Sequence, residues 1–416
     1  MVVCYFDRLD FLLYILSNHL DWQGYRNFRA GCVNMEDEFL KNLLVGNGIN
    51  IQFDNENYTT KSIVSRLLKN CDRDDFPAHI IVDYPYLMKN YIGRLFLEAR
   101  KTLQGDYDRF VNCKAEEKSL NSFKEQYKDK LATLTIMDIG FEDYYLIHDL
   151  VCHKTQTGNP DQYHVREAMR IAYLYSIYND GELDNLHTKY PESLINYLKN
   201  FDSIFTTNYD SNIDAVVDIP VYHIHGWFKQ LEAVYDVNSY RNQLPDAPVN
   251  NIEVDDEFYY LYSNALTTHC GAYKEFQLQQ YGLANDAVSK LAKDYVCNSK
   301  VKHDVDLWLS CDNKITSNMG YAVKLKVENP EIKFEDNYHF DKLVSITGDL
   351  EILGLSPWND FHIFEAIDKS ELQKCIYYYF SEEQCQKVKA LLPNLSEKGK
   401  LKFCPLTKFW GEIYEK

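Results

Sequence analysis

Short apolar runs that end in glycine or polar residues recur along this chain, separated by stretches with the period of an amphipathic helix. The segment LLV, residues 43–45, is one such run, and the turn GNG, residues 46–48, ends it. The segment KSIVSRLLK, residues 61–69, has apolar positions four apart, which predicts a helix. The pattern therefore begins with a strand, a glycine turn and a helix.

The same alternation continues along the chain. The helical pattern YPESLINYLKNF leads directly into the apolar segment SIFTTNYD, residues 203–210, and VYHIHG, residues 221–226, predicts a further strand. Two β-rich runs flank Gly348-Asp349, and residues 398–416 predict a closing strand and a short terminal element. Helices that alternate with short buried strands are typical of an α/β fold. We expect a Rossmann-like parallel sheet, flanked by helices and carrying large helical insertions.

Changes in composition and in the hydrophobic pattern divide the chain into four predicted segments. Residues 1–40 form an N-terminal helical segment, and residues 41–228 form the Rossmann-like core, with a helical insertion at about 70–200. Residues 229–342 open with a loop rich in proline and acidic side chains and then become helical. We expect this second insertion to cover the cleft or to make subunit contacts; a passive decoration is the alternative. Residues 343–416 supply the final core strands and a C-terminal element.

Composition narrows the classes of function. The 416 residues include 62 acidic and 44 basic side chains, a formal net charge of −18, which disfavours direct binding to nucleic acid. The closest two of the 11 cysteines, Cys375 and Cys385, are ten positions apart, so neither a zinc ribbon nor a disulfide framework is expected. The longest uncharged run near the N-terminus, residues 11–20, is about half of the roughly 20 residues that cross a bilayer. We expect a cytoplasmic protein with no metal and no membrane contact.

Four polar or glycine-rich segments follow predicted strands, at residues 46–48, 206–210, 225–226 and 354–360. Since ligands bind outside the carboxyl ends of parallel strands, these segments predict one shared cleft. A glycine turn that enters a helix suits phosphate. Each segment alone has a structural alternative: a tight turn, a capped turn, a buried histidine or two ligands of a zinc site.

Taken together and in this order, the four segments resemble the motifs of the sirtuin superfamily. The resemblance is closest to the bacterial sirtuin-like NADases of anti-phage defence, outside the deacetylase branch, and covers about residues 40–228 and 343–360. It matches a glycine-rich turn, a Thr-x-Asn segment, a His-Gly pair and a late Gly-x-Ser. It implies that Asn208 and His225 are catalytic. The residues that it implies for NAD+ binding are Gly46, Asn47, Gly48, Asn50, Thr206, Thr207, Asp210, Gly354, Ser356 and Asp360.

The resemblance implies hydrolysis of NAD+ to nicotinamide and ADP-ribose, as the NAD-depleting effector of an abortive-infection system. It also implies a homo-oligomer, with a HerA-type ATPase as the first partner class to test. The departure of nicotinamide leaves an oxocarbenium-like centre, for which Asn208 is the positioning amide and His225 the base. This chemistry uses NAD+ as a substrate and needs no metal.

Two alternatives stay open. The first is NAD-dependent protein deacylation or ADP-ribosyl transfer, but deacetylase sirtuins carry two close cysteine pairs where this chain has only Cys270, Cys297 and Cys311. The second is a regulatory subunit that senses NAD+ or ADP-ribose without cleaving it. Such a sensor would need neither Asn208 nor His225.

Two histidines share the predicted strand VYHIHG, where side chains alternate between faces. His223 and His225 would therefore point to the same face, but His225 is nearer the carboxyl end, where the ligand is expected. We therefore assign the base to His225 and expect His223 to be buried and hydrogen-bonded as a support.

Overall fold

The computed structural model describes residues 40–77, 80, 85–158, 161–245, 247, 252–267, 272–334, 338–358 and 360–415. The predicted N-terminal helical segment, residues 1–40, lies outside these ranges except for its last residue. The chain divides into two compact units. The larger consists of Phe39–Leu231, Val254–Lys274 and Asn337–Lys416. Among the described residues, the smaller consists of Glu232–Glu253 and Glu275–Asp336.

The larger unit is built on one parallel sheet. Its strands within the described ranges are β1 (Lys41–Val45), β2 (Ser203–Thr206), β3 (Val221–His223), β4 (Thr347–Leu353), β5 (Glu371–Tyr379) and β6 (Leu401–Pro405). Their spatial order is β3-β2-β1-β4-β5-β6, and every neighbouring pair is parallel. This is the order of the doubly wound Rossmann fold, in which the direction of winding reverses between β1 and β4. The predicted α/β class is confirmed.

Sixteen α-helices lie in the described ranges. From the amino end of the larger unit these are α1 (Gly48–Phe53), α2 (Thr60–Asn70), α3 (Pro85–Leu103), α4 (Lys114–Tyr127), α5 (Phe141–Thr155), α6 (Asp161–Tyr178) and α7 (Glu192–Leu198). Then follow α8 (Tyr240–Gln243), α9 (Ala272–Cys297), α10 (Ser299–Leu309) and α11 (Lys314–Glu328). The last are α12 (Phe340–Val344), α13 (Phe361–Lys369), α14 (Glu382–Leu391), α15 (Pro393–Glu397) and α16 (Leu406–Tyr414). Short 3₁₀ helices lie at Asp108–Phe110, Lys128–Lys130, Leu183–Lys189 and Asp256–Tyr262.

Strand β1 is buried on both faces. Leu44 belongs to the apolar cluster on one face of the sheet, together with Phe205 of β2. Leu43 and Val45 belong to the cluster on the other face, together with Ile204. Strands that are covered on both faces need apolar residues at consecutive positions, which explains the uninterrupted run at residues 43–45.

The structure corrects two local predictions made from the sequence. The helix predicted at residues 61–69 is confirmed as α2, but a further short helix, α1, begins directly at Gly48. The β-rich run predicted before Gly348 is wrong, because residues 340–344 form α12 and bury Leu343. Gly348 itself lies inside β4, with φ +80°, at a shift in register between β4 and β5.

The smaller unit has an apolar core of its own. Tyr240 of α8, Val288 of α9 and Val323 of α11 are buried in it. Asn313 caps α11, since its side-chain oxygen accepts a hydrogen bond from the Thr316 amide at 3.1 Å. An independent cluster of this kind lets the unit form a compact body from a short stretch of chain.

The predicted insertion at residues 229–342 contains chain of both units. Residues 254–267 belong to the larger unit. Arg170 of α6, which is 1% exposed, donates hydrogen bonds there to the carbonyl oxygens of Leu261 at 2.8 Å and Ser263 at 2.5 Å. The boundary between core and insertion therefore runs through the predicted segment.

Backbone contact between two strand ends depends on glycine. The Gly46 amide donates to the Leu353 carbonyl and the Gly48 amide to the Gly354 carbonyl, each at 2.9 Å. A Cβ on Gly48 would lie 2.5 Å from the Gly354 Cα, and a Cβ on Gly354 would lie 2.9 Å from the Gly48 Cα. Gly354 also has φ +69°, a conformation that favours glycine. The chain after β1 and the chain after β4 can touch only because neither carries a side chain there.

We expect Gly354→Ala to lower the free energy of unfolding by about 1–3 kcal/mol, because the new methyl group meets backbone atoms at a strained φ. The matched control is Gly93→Ala in α3, where an added Cβ meets nothing within 4 Å. That variant should gain about 0.5–1 kcal/mol from helix propensity. Denaturant unfolding of both variants checks the prediction, and a Gly354→Ala protein as stable as the wild type would contradict it.

Candidate active site

A cavity of about 710 Å³ opens in the larger unit at the carboxyl ends of the strands. It gathers the predicted site residues that lie far apart in sequence. Those that line it are Asn47, Gly48, Asn50, Thr207, Asn208, Asp210, His225, Gly354, Ser356 and Asp360. Gly46 and Thr206 are not part of the lining; the amide of Gly46 bonds to β4, and the hydroxyl oxygen of Thr206 accepts the Asn208 amide at 3.1 Å.

Asn208, two residues beyond β2, carries a buried side-chain amide. The residue is 6% exposed, and neither its Nδ2 nor its Oδ1 hydrogen-bonds to a described residue. Its backbone is held at both ends, by Thr206 Oγ1 and by the ring of His223, whose Nδ1 lies 3.0 Å from the Asn208 carbonyl. Leaving a buried polar group unpaired costs about 1–3 kcal/mol. An amide that is fixed in this state and faces a cavity is suited to bind a ligand.

Asp210 joins the first helix to the loop after β2. Its buried carboxylate accepts hydrogen bonds from Asn50 Nδ2 at 2.8 Å, and from the backbone amide and Nδ2 of Asn212 at 3.0 and 2.7 Å. Burial raises the pKa of Asp210, while these donors act in the opposite direction. The Oδ1 of Asn50, by contrast, has no hydrogen-bond partner in the described part of the chain. Asn50 therefore presents a second unused amide oxygen at the cavity wall.

His225 lies in the turn after β3, because the strand ends at His223. Its Nε2 is 3.4 Å from Oδ1 of Asp360. Its ring stacks on the ring of His362, with centroids 5.6 Å apart and planes within 8°. Sequence reasoning missed His362, although an acid and a histidine two positions apart after the Gly-x-Ser motif were a visible signal.

His223 occupies a supporting position, as expected. The side chain is 5% exposed and stacks on Trp227, with ring centroids 5.0 Å apart. Its Nδ1 is 3.0 Å from the Asn208 carbonyl, and its Nε2 is 3.1 Å from Oδ2 of Asp214. The ring therefore fixes the backbone that carries the Asn208 amide.

The turn that follows His225 is held by a segment that the sequence analysis assigned to an insertion. Gly226 has φ +103°, and a Cβ there would lie 2.4 Å from the Asn264 carbonyl oxygen. Oδ1 of Asn264 accepts the Trp227 amide at 2.8 Å, and the Asn264 amide donates to the Gln230 carbonyl at 2.7 Å. Asn264 thus positions both ends of the loop that begins at His225.

The start of α5 forms another wall of the cavity, and sequence reasoning named none of its residues. Gly140, Phe141 and Glu142 line it. Behind them, the Tyr127 hydroxyl donates to Oδ2 of Asp143 at 2.8 Å and accepts the Gly140 amide at 3.0 Å. Burial raises the pKa of Asp143 to about 7. This wall comes from the helical insertion within the core, whose packing on the sheet no local pattern reveals.

The charged side chains of the described lining are acidic. Glu142, Asp210 and Asp360 contribute three carboxylates, and the described residues around the cavity include no lysine or arginine. No group of three or more potential ligands within the described ranges could hold a metal ion. No described helix is long and apolar enough to span a bilayer.

Comparisons with protein-family models, with curated proteins and with solved structures found no match to this chain.

We expect His223→Ala to lower the free energy of unfolding by about 1–3 kcal/mol, because the Asn208 carbonyl and Asp214 lose their partner. His225→Ala should cost less, since the imidazole faces a cavity that water can fill. Thermal melts of the two variants beside the wild type measure the difference. The opposite order of melting temperatures would show that His225 is the structural residue.

Stability should fall as the pH rises because of Asp143. Its pKa of about 7 in the folded protein exceeds the ordinary value of 3.8 for this side chain, so the folded state binds more protons between these values. The contribution is complete below about pH 4, declines towards pH 7 and is lost above it. Asp143→Asn keeps an acceptor for Tyr127 and cannot ionise, so it should melt at a higher temperature than the wild type at pH 8 but not at pH 4. Asp129→Asn, on the exposed surface, is the control; equal pH profiles for wild type and Asp143→Asn would contradict the assignment.

Proposed function

We propose that the protein hydrolyses NAD+ to nicotinamide and ADP-ribose. The observation that carries the proposal is the buried side-chain amide of Asn208, which has no hydrogen-bond partner among the described residues and belongs to a residue that lines a cavity of about 710 Å³. That cavity lies at the reversal point of a sheet with the strand order of dinucleotide-binding folds. The resemblance of the four motifs to sirtuin-like NADases adds the specific ligand and reaction.

In the proposed reaction the bond between C1′ of the ribose and the nicotinamide nitrogen breaks. Its electron pair leaves with nicotinamide, which becomes neutral, and C1′ gains oxocarbenium character. Asn208 would hold the ribose or the attacking water in position. Water adds to C1′ and gives its proton to His225, whose ring is held between Asp360 and His362. The products are ADP-ribose, nicotinamide and one proton.

In this proposal no positively charged side chain of the described lining binds the pyrophosphate of NAD+. The described lining has no lysine or arginine, and the amides of Gly46 and Gly48 already donate to the carbonyls of Leu353 and Gly354. The contribution of the glycines is therefore a bare backbone surface that lets a ligand approach closely. Hydrogen bonds to the pyrophosphate would come from neutral donors such as the Ser356 hydroxyl.

The cellular role rests on the resemblance alone. We propose that depletion of NAD+ is the effector step of a defence response against phage in the cytoplasm. A homo-oligomer would carry it out, and a HerA-type ATPase is the partner class to test first. The protein would then be assayed alone and together with such an ATPase.

One assay separates the proposal from its alternatives. A hydrolase releases nicotinamide and ADP-ribose from NAD+ alone. A deacylase or ADP-ribosyltransferase releases nicotinamide in proportion to a protein or peptide acceptor. A sensor binds NAD+ and releases nothing.

We expect Asn208→Ala to reduce nicotinamide release by about 100-fold or more, because a positioning amide is lost. Its melting temperature should not fall, since the amide makes no hydrogen bond within the described chain. Asn212→Ala in the same loop is the matched control. Its amide bonds to Asp210, and to the Leu183 carbonyl at 2.8 Å, so that variant should lose stability. Nicotinamide release at the wild-type rate by Asn208→Ala would make Asn208 a structural turn residue.

A further inference from the structure

Among the three carboxylates of the cavity, Glu142 is the one available to a ligand. Asp210 is engaged by Asn50 and Asn212, and Asp360 lies 3.4 Å from the ring of His225. Glu142 accepts one hydrogen bond from the described residues, from the Tyr209 hydroxyl to Oε1 at 3.2 Å. Its Oε2 accepts none from them, and the residue lines the cavity.

The position of Glu142 is fixed from two sides. It is the second residue of α5, whose start is held by the hydrogen bonds of Tyr127 to Gly140 and Asp143. Tyr209, which orients its carboxylate, lies between Asn208 and Asp210 in the loop after β2. Burial and then the Glu142 carboxylate raise the pKa of Tyr209, so the phenol stays protonated and continues to donate. The carboxylate therefore stands beside the loop that carries the unpaired amide.

We propose that Glu142 is a catalytic residue whose carboxylate stabilises the ribosyl cation that forms as nicotinamide leaves; this inference rests on the proposed hydrolysis of NAD+. When the bond between C1′ and nitrogen breaks, the positive charge moves from the nicotinamide ring to C1′ and the ring oxygen of the ribose. Glu142 forms no covalent bond and releases no proton. Water then adds to C1′, and His225 takes the proton.

The charge of the lining supports this role over a phosphate-binding one. A cavity whose described lining has three carboxylates and no lysine or arginine favours the cationic part of a ligand. A carboxylate held in place by Tyr209 needs no reorganisation as the charge develops, which is the condition for electrostatic catalysis. Since the charge at C1′ exists only near the transition state, the contribution should appear in kcat and not in KM.

Glu142→Gln tests the charge at nearly constant shape, because the amide oxygen can still accept the Tyr209 hydroxyl. Removing one preorganised stabilising group costs on the order of 100-fold in kcat, and we expect a loss of that size with KM within about threefold of the wild type. Binding of ADP-ribose, measured by calorimetry, should be unchanged. Glu117→Gln removes the same charge from the first turn of α4, at an exposed position, and should leave both constants unchanged.

Two further variants keep the test decisive. Glu142→Asp retains a carboxylate and should keep at least about a tenth of the wild-type kcat, whereas Tyr209→Phe should lose about 3–10-fold because the carboxylate is less well held. Thermal melts establish that each protein is folded.

The outcomes separate the two proposals. If Glu142→Gln turns over as fast as Glu117→Gln while Asn208→Ala is inactive, the role of Glu142 is overturned and the hydrolase stands. If Glu142→Gln weakens ADP-ribose binding and raises KM at constant kcat, Glu142 binds the ground state and the inference is also overturned. A wild-type protein that releases no nicotinamide, alone or with a HerA-type ATPase, overturns both.

Discussion

A close approach of two backbones in the larger unit, between Gly46–Gly48 and Gly354, determines where the cavity forms. The sheet reverses its winding at this point, and the amide-to-carbonyl bonds across it join the ends of β1 and β4. Side chains of ordinary size would push these segments apart, because even a Cβ on Gly48 would lie 2.5 Å from the other chain. The cavity forms beside this contact, and its floor, the part of the lining at Gly48 and Gly354, consists of glycine. Its chemistry comes from the neighbouring loops.

Those loops combine polar side chains that have hydrogen-bond partners with polar side chains that have none among the described residues. Asp210 and His223 have hydrogen-bond or ion-pair partners on more than one side. The side chain of Asn208, by contrast, has no hydrogen-bond partner among the described residues. A buried amide in that state lowers stability by roughly as much as one good hydrogen bond contributes. The surrounding network keeps the loop in a conformation that the amide alone would not favour, which is how binding sites retain unsaturated polar groups.

Much of the fold could be predicted because buried parallel strands need continuous apolar runs, as at residues 43–45. Strand β5 was not predicted from the sequence. Its pairs with β4, Gly348–Leu372 and Asp349–Lys374, skip Gln373. The buried Leu372 and Cys375 therefore lie three positions apart, which breaks the alternation of buried and exposed residues typical of a strand. Site residues that follow a strand were recognisable from local sequence. Glu142 and Asn264 were not, because each reaches the site through long-range packing of a helix or loop. Local patterns carry no information about such packing.

Two parts of the cavity lining differ in how well they tolerate substitution. At its floor an added Cβ would meet backbone atoms, so a side chain there costs stability. The wall at the start of α5 consists of residues on a helix outside the strands. In the course of evolution, proteins descended from this chain would keep the glycines of the cavity floor and vary the residues of its wall. Differences in the shape and charge of the cavity would then arise from the insertion, while the glycines would stay the same.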